Sequence, residues 1–396
     1  LFNLFFYFKI NILCYYIKMD LRQRKLYHQV TPTSEQSIYT EMAQPTFLIS
    51  VGSGRSLVKN SVRLLGDIRI LNAGAQSTAG RLFNRTAGAH VFFDAITTSF
   101  AGGQGAGAVG GQIENLTNYS RWVAMNGVAS LNELDMLNAQ HQCELRGVNN
   151  AVMADYAGGI TPTATAGSPV LVDTDFSLKP EICVNRMSGG DLPFDKSGIV
   201  TVMTSLSRNA QALFGALQDV NTTYELRNLR CSYMSVPDSK VPQPTIMNIE
   251  YPIKSNILTG TATLSTNVPA VCSGVSINFI QTQHYGVNVF DSNRLENPTQ
   301  LQSVQYIMND KTNSLVTYTI EDQTEMLERF IDSLYNSGRT QVSLDKFRSN
   351  NAWGCGLDFD GGVDLSANRF TFQIVSGINN QYPTNVYQYF HSSVSV

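Results

Sequence analysis

The feature that most constrains this chain is an order of strand, helix and strand that occurs twice. Ile199 to Leu206 is an extended, β-branched run, and Asn209 to Gly215 is a short helical turn stopped by glycine. Thr223 to Met234 then alternates apolar and polar residues over a strand's length. The order returns in the second half, with a strand at Leu315 to Ile320, a helix at Glu325 to Tyr335 and an alternating strand at Arg369 to Val375. Each copy closes a β-rich half. A chain of 396 residues can bury two cores, so the repeat predicts two β-sandwich domains of roughly 190 residues each.

Composition agrees. Charged residues make up 15% of the chain, against a usual share of about a quarter. Asn, Ser, Thr, Gln and Gly take up the difference, which suits β-structure with wide neutral surfaces. The net charge of -3 lacks the basic excess of a dedicated nucleic-acid binder. The six cysteines (14, 143, 183, 231, 272 and 355) form no CxxC pair. They read as buried free thiols in a reducing compartment, with Cys183 and Cys231 as the pair that neighbouring strands could bring together.

Residues 1–18 read as translated upstream sequence ahead of Met19, with a signal anchor as the rival. Asn3, Lys9 and Asn11 interrupt the apolar run that an anchor needs. Residues 19–56 are polar, with a basic cluster at Arg22, Arg24 and Lys25, and are expected to form an N-terminal arm. Strands are expected from Ser61, where Val62, Leu64, Ile68 and Ile70 alternate with Arg63, Asp67 and Arg69. A further strand region is expected around Tyr119, Trp122 and Val123, a short helix at Leu131 to Leu137, and a surface loop at Gly158 to Pro169. Pro237, Pro242 and Pro244 punctuate the chain and place the domain boundary there. The expected division is a first domain at 57–237, a linker at 238–244 and a second domain at 245–396, ending in a polar tail with Tyr387, Tyr389 and Phe390.

No residue is nominated as catalytic, cofactor-binding or metal-ligating. The histidines (28, 90, 141, 284 and 391) are scattered without HExxH or HxH spacing and read as surface or strand-edge residues. Asp358, Asp360 and Asp364 invite a calcium reading, but the spacing is not that of an EF-hand, and a solvated turn is the expectation. The glycine-rich segment from Gly102 to Gly111 lacks the Lys-Ser/Thr ending of a phosphate loop and reads as a flexible connection.

Phe176 to Met187, Leu192 to Phe214, Thr223 to Pro237 and Trp353 to Ser376 carry a resemblance spanning roughly residues 57 to 390. In order and spacing the chain resembles the double jelly-roll major capsid proteins of icosahedral double-stranded DNA viruses, in the branch of polinton-like viruses, virophages and tectiviruses. The resemblance implies an all-β chain of two tandem eight-stranded jelly rolls with short inserted helices. It implies a homotrimeric capsomer of pseudo-hexagonal outline, neighbouring capsomers and penton or minor capsid proteins as partners, and a place in the virion after assembly in the host cytoplasm or nucleus. It implies no enzyme, no cofactor and no specific nucleic-acid binding, and it leaves open membrane contact by the N-terminal arm. A minor capsid or penton protein would be built on a single roll. The alternative from another class is a lectin-like carbohydrate-binding β-sandwich, which needs an exposed aromatic platform or a metal site. Trp122 and Trp353 are the tryptophans available for one.

Overall fold

A computed structural model describes residues 25–72, 83–84, 86–105, 107–131, 138–146, 170–214, 222–239, 243–258, 260–298, 301–309, 314–334, 347, 352–376 and 383–396. The expected upstream segment 1–18, the body of the helix at 131–137 and the loop at 158–169 lie outside the described residues.

Alternation builds the strands. In Arg63–Asn72, Leu64, Ile68 and Ile70 are fully buried while Arg63, Asp67 and Arg69 line the other face. The first half holds β1 (Leu26–Val30), β2 (Ile38–Tyr39), β3 (Thr46–Ile49), β4 (Arg55–Leu57), β5 (Arg63–Asn72) and β6 (Phe93–Ala101). It continues with β7 (Gly110–Thr117), β8 (Val170–Leu178), β9 (Met187–Gly189), β10 (Leu192–Pro193), β11 (Val200–Leu206) and β12 (Thr222–Pro237). The second half holds β13 (Thr245–Ile257), β14 (Ala262–Thr266), β15 (Val271–Gln281) and β16 (Leu301–Asn309). It closes with β17 (Ser314–Ile320), β18 (Cys355–Asp364), β19 (Arg369–Ser376) and β20 (Thr384–Ser395).

The pairing is the same twice. In the first half β1-β12-β5-β8 form one sheet, extended by β2, β4 and β10, and β3-β11-β6-β7 form the other. In the second half β13-β20-β15-β18 and β14-β19-β16-β17 repeat that order, and every pair is antiparallel. Counting eight main strands in each half, both follow 1-8-3-6 against 2-7-4-5, the jelly roll. Rings from the two sheets of the second roll meet in its core, as Phe370 does with Phe390 at 5.3 Å. One continuous apolar cluster runs through both rolls.

Two longer helices matter, α1 (Tyr119–Ser130) and α2 (Gln323–Leu334). Both follow the fifth strand of their roll, so α1 is the counterpart of α2. The duplication read from sequence is therefore real, but its elements were matched out of phase: β11 and β12 are seventh and eighth strands, whereas β17 and β19 are fifth and seventh. The expected strand around Tyr119, Trp122 and Val123 is α1. Its residues are buried on nearly every side, with Asn126 and Ser130 the exceptions, so no polar stripe marks the helical period. In α2 one face buries Met326, Leu327, Phe330 and Leu334 against β18 and β15, and the period shows plainly.

Three other expectations change. Among the described residues the first strand is Leu26–Val30, well before Ser61: β1 pairs with β12 and β3 with β11, so the polar stretch from Leu26 onward joins both sheets. The expected polar tail is β20, a central strand between β15 and β13 in which Tyr387, Tyr389 and Phe390 are buried. The glycine-rich connection is held, with Gly105 N–H on Asp195 O at 2.9 Å and Val109 N–H on Lys196 O at 3.0 Å. A Cβ at Gly103 would lie 1.9 Å from Asp195 O, so only glycine allows this approach.

Candidate assembly seam and outer faces

The outer face of the second roll's β13-β20-β15 sheet is covered instead of solvated. Ser276, Asn278, Tyr387, Tyr389 and His391 are all buried. The cover comes from α2 of the same roll and, from the first roll, from α1, β7 and the segment around Arg186.

Arg121 on α1 crosses the seam. Its guanidinium donates to Asn278 Oδ1 at 2.7 and 3.2 Å, to Ser292 O at 2.6 Å and to Phe279 O at 3.2 Å, and it lies 4.5 Å from the Tyr387 ring centroid. Neutral oxygens and a ring face satisfy a cation that cannot be deprotonated. Trp122, the next residue, packs on Tyr389 at 5.2 Å and on His391 at 5.8 Å.

Lower on the seam, Arg186 bridges the rolls. It pairs with Glu114 of β7 and donates to Glu250 Oε1 of β13 at 2.7 Å. Glu250 Oε2 accepts from His391 Nδ1 at 2.6 Å, and His391 Nε2 meets Ser276 Oγ at 2.7 Å. Glu114 also accepts the N–H groups of Glu250 and Cys183. Burial pushes the Glu114 carboxyl above its ordinary range, against the pull of Arg186 and those N–H groups. Such a network adds little net stability over apolar packing, but it fails if one member is lost, so it selects one mutual orientation of the rolls. Backbone pairing reinforces it: β9 of the first half adds to the edge of β13, with Met187 opposite Met247.

No protein-family model matches the chain, and no curated protein matches it. Solved structures do. The Faustovirus major capsid protein aligns over 94% of this chain and 90% of its own, with a TM-score of 0.60 at 8% identity. A chain of the Sputnik virophage structure aligns over 94% and 86%, with a TM-score of 0.57 at 11% identity. The PBCV-1 protein VP54, fitted into a reconstruction of Sputnik, aligns over 94% and 95%, with a TM-score of 0.52 at 10% identity. The fold is that of the double jelly-roll major capsid proteins.

In this double jelly roll the outer faces differ in chemistry. The β3-β11-β6 face presents Thr46, Leu48, Thr201, Met203, Thr97 and Ser99, and the β14-β19-β16 face presents Thr263, Ser265, Gln373 and Gln305. These are the neutral surfaces that composition foretold. The β12-β5 face is charged, with Arg227 opposite Asp67 and Glu225 opposite Arg69.

The residues weighed as candidate chemistry lie apart. His28 stacks on Tyr233 at 4.9 Å, and His284 meets Glu296 Oε1 at 2.7 Å. His141 lies 3.5 Å from Glu144 Oε2. His90 and His391 are buried, contrary to the surface expectation. Asp358 and Asp360 lie within strand β18 instead of a turn, and Asp364 caps the turn that follows by accepting from Ser366 N–H at 2.9 Å. Among the described residues no group of three or more His, Cys, Asp or Glu side chains could hold a metal ion. Cys183 and Cys231 are separate free thiols, and Cys143 is exposed, not buried. Both tryptophans are fully buried and offer no exposed platform for a sugar ring. No helix among the described residues is long and apolar enough to cross a membrane. Sequence reasoning missed Arg121, Arg186, Glu114 and Glu250. A lone arginine amid the apolar residues of α1 was the one available signal.

Proposed function

We propose that this chain is the major capsid subunit of an icosahedral virus, a structural protein without substrate turnover. The carrying observation is that both rolls, in order, match viral capsid subunits over 94% of the chain. The seam supports the reading, because a brick that tiles a shell needs its two rolls held in one orientation, and Arg121 and Arg186 are placed to do that. The finer reading is a homotrimeric capsomer of pseudo-hexagonal outline. In it three copies present six rolls, pack against like capsomers and meet penton or minor capsid proteins at the vertices, within a virion assembled in the host cell. The domain division at 238–244 and a virus of the polinton-like or virophage kind belong to the same proposal. Light scattering after gel filtration tests it, on a chain begun at Met19: a stable species at three chain masses with a hexagonal outline by electron microscopy is expected. A monomer at every concentration would overturn it.

A further inference from the structure

Beside Arg186 the seam opens into a crevice of about 510 Å³. Its floor belongs to the second roll, where Asn248 of β13 stands directly opposite Ser393 of β20. Its wall belongs to the first roll, with Lys179 just after β8, Arg186 just before β9 and Ser188 within β9. We infer that this crevice is a binding site for a small molecule bearing a phosphate group, held between the two rolls.

The balance of donors and acceptors selects the ligand. The strongest acceptor in the crevice is already spent, since Glu250 takes Arg186 on Oε1 at 2.7 Å and His391 on Oε2 at 2.6 Å. Asn185, also in the lining, is engaged by Val62 and Pro180. The donors are not spent. Arg186 Nε is buried without a hydrogen-bond partner. Lys179 bonds Glu144 Oε1 through its backbone N–H at 3.1 Å, while its Nζ makes no hydrogen bond among the described residues. Ammonium and guanidinium groups donate and never accept. Ser188, Asn248 and Ser393 have side chains equally without partners among the described residues, and each can turn a donor toward the crevice. Burial holds the Lys179 ammonium below its ordinary range, and Glu144 counters this only in part. A phosphate group meets both the charge and the geometry, because its oxygens accept from wall and floor at once and bonds between charged partners are the strong ones. The crevice is larger than the ion needs and within the size range of small-molecule sites, which leaves room for an organic remainder. Wall and floor come from different rolls, so the ligand binds only while the rolls are docked and favours that orientation by mass action.

The test is isothermal titration calorimetry of the full chain with inorganic phosphate and with glycerol phosphate, at constant ionic strength set by chloride. Wild type should bind one phosphate per chain. Lys179→Met should weaken binding by about ten-fold or more, the worth of a charged hydrogen bond. Ser393→Asp, which sets a carboxylate on the opposite roll, should weaken it as well. Lys254→Met makes the same charge change farther along β13 and should bind like wild type, with circular dichroism to show that every variant is folded. Tighter binding of the ester assigns the remaining space to an organic group, and weaker binding assigns the site to the free ion. A wild type that takes up no phosphate, a Lys179→Met that binds as wild type does, or a Lys254→Met that loses binding equally would overturn the inference. None of these readouts depends on association between copies, so the capsid-subunit reading stands or falls separately.

Discussion

Arg121 Nη2 donates to Asn278 Oδ1 at 2.7 Å, and the two residues belong to different jelly rolls. The arginine is buried among carbonyl oxygens, so its fork of donors is matched by acceptors that the second roll presents only when correctly docked. Arg121→Met removes the donor to Asn278 Oδ1 and Ser292 O together. Each buried acceptor left unpaired costs roughly 1–3 kcal/mol, so a loss of about 3 kcal/mol is expected in urea unfolding. Arg121→Lys should recover little, because an ammonium cannot span the fork. A lysine variant as stable as wild type would show that charge alone matters here.

Trp122 is the second fastener. Its ring is fully buried between Tyr389, His391 and the Arg186 guanidinium, which lies 5.7 Å from it. Truncation to alanine leaves a cavity in the seam and should cost about 3–5 kcal/mol.

Much of this architecture was visible in the amino-acid order. The alternation of Leu64, Ile68 and Ile70 with Arg63, Asp67 and Arg69 gave a strand because one face meets the core and the other meets water. The helix bearing Met326, Phe330 and Leu334 was visible for the corresponding reason. Legibility failed where both faces of an element are covered. In α1 and β20 the polar residues Arg121 and His391 are buried within the seam, so polarity there reports a partner instead of solvent. No single-chain periodicity contains that information. The seam was missed because its members, Glu114, Arg186 and Glu250, converge only through the tertiary fold.

Acid should weaken the first roll through Glu144. Burial pushes this carboxyl up, but the imidazoles of His141 and His90, 3.5 and 3.6 Å from its Oε2, and Arg146 at 3.0 Å outweigh it, holding it well below the carboxylate range. A depressed folded-state pKa means stability present above the unfolded value of about 4.5 and lost as pH falls below it. His90, lowered from 6.5 by burial and by Arg146, acts in the same direction beginning nearer neutrality. Urea midpoints from pH 7 to pH 3 should fall for wild type, and Glu144→Gln should flatten the lower limb. Parallel limbs for the two proteins would refute the assignment.

Thiol chemistry gives an independent check on burial. Cys143 is exposed, whereas Cys231, Cys272 and Cys355 are buried with thiols pushed up to about 12 by loss of solvent. Cys143→Ser should lower native-state labelling by one thiol, while Cys231→Ser should leave it unchanged until denaturant is added.

The glycine-rich connection makes a last comparison. Gly103→Ala must push a methyl group into Asp195 O, whereas Gly111→Ala meets no neighbour within 4 Å and bears only the strain of its φ of +95°. The latter should cost about 1–2 kcal/mol, and the former more, as read by thermal melting of both variants.

The position of β20 bears on how the protein is made. Tyr387, Tyr389 and His391 all lie on this strand, which follows every other described strand in the chain. A ribosome adds about 5–20 residues per second. The first roll, complete once β12 emerges, therefore waits on the order of ten seconds with Trp122 and Arg121 uncovered. A chain broken off before Thr384 never closes the seam. Unfinished subunits would thus keep an exposed tryptophan and an unmet arginine, marks by which chaperones and proteases can tell them from finished ones before any shell is built.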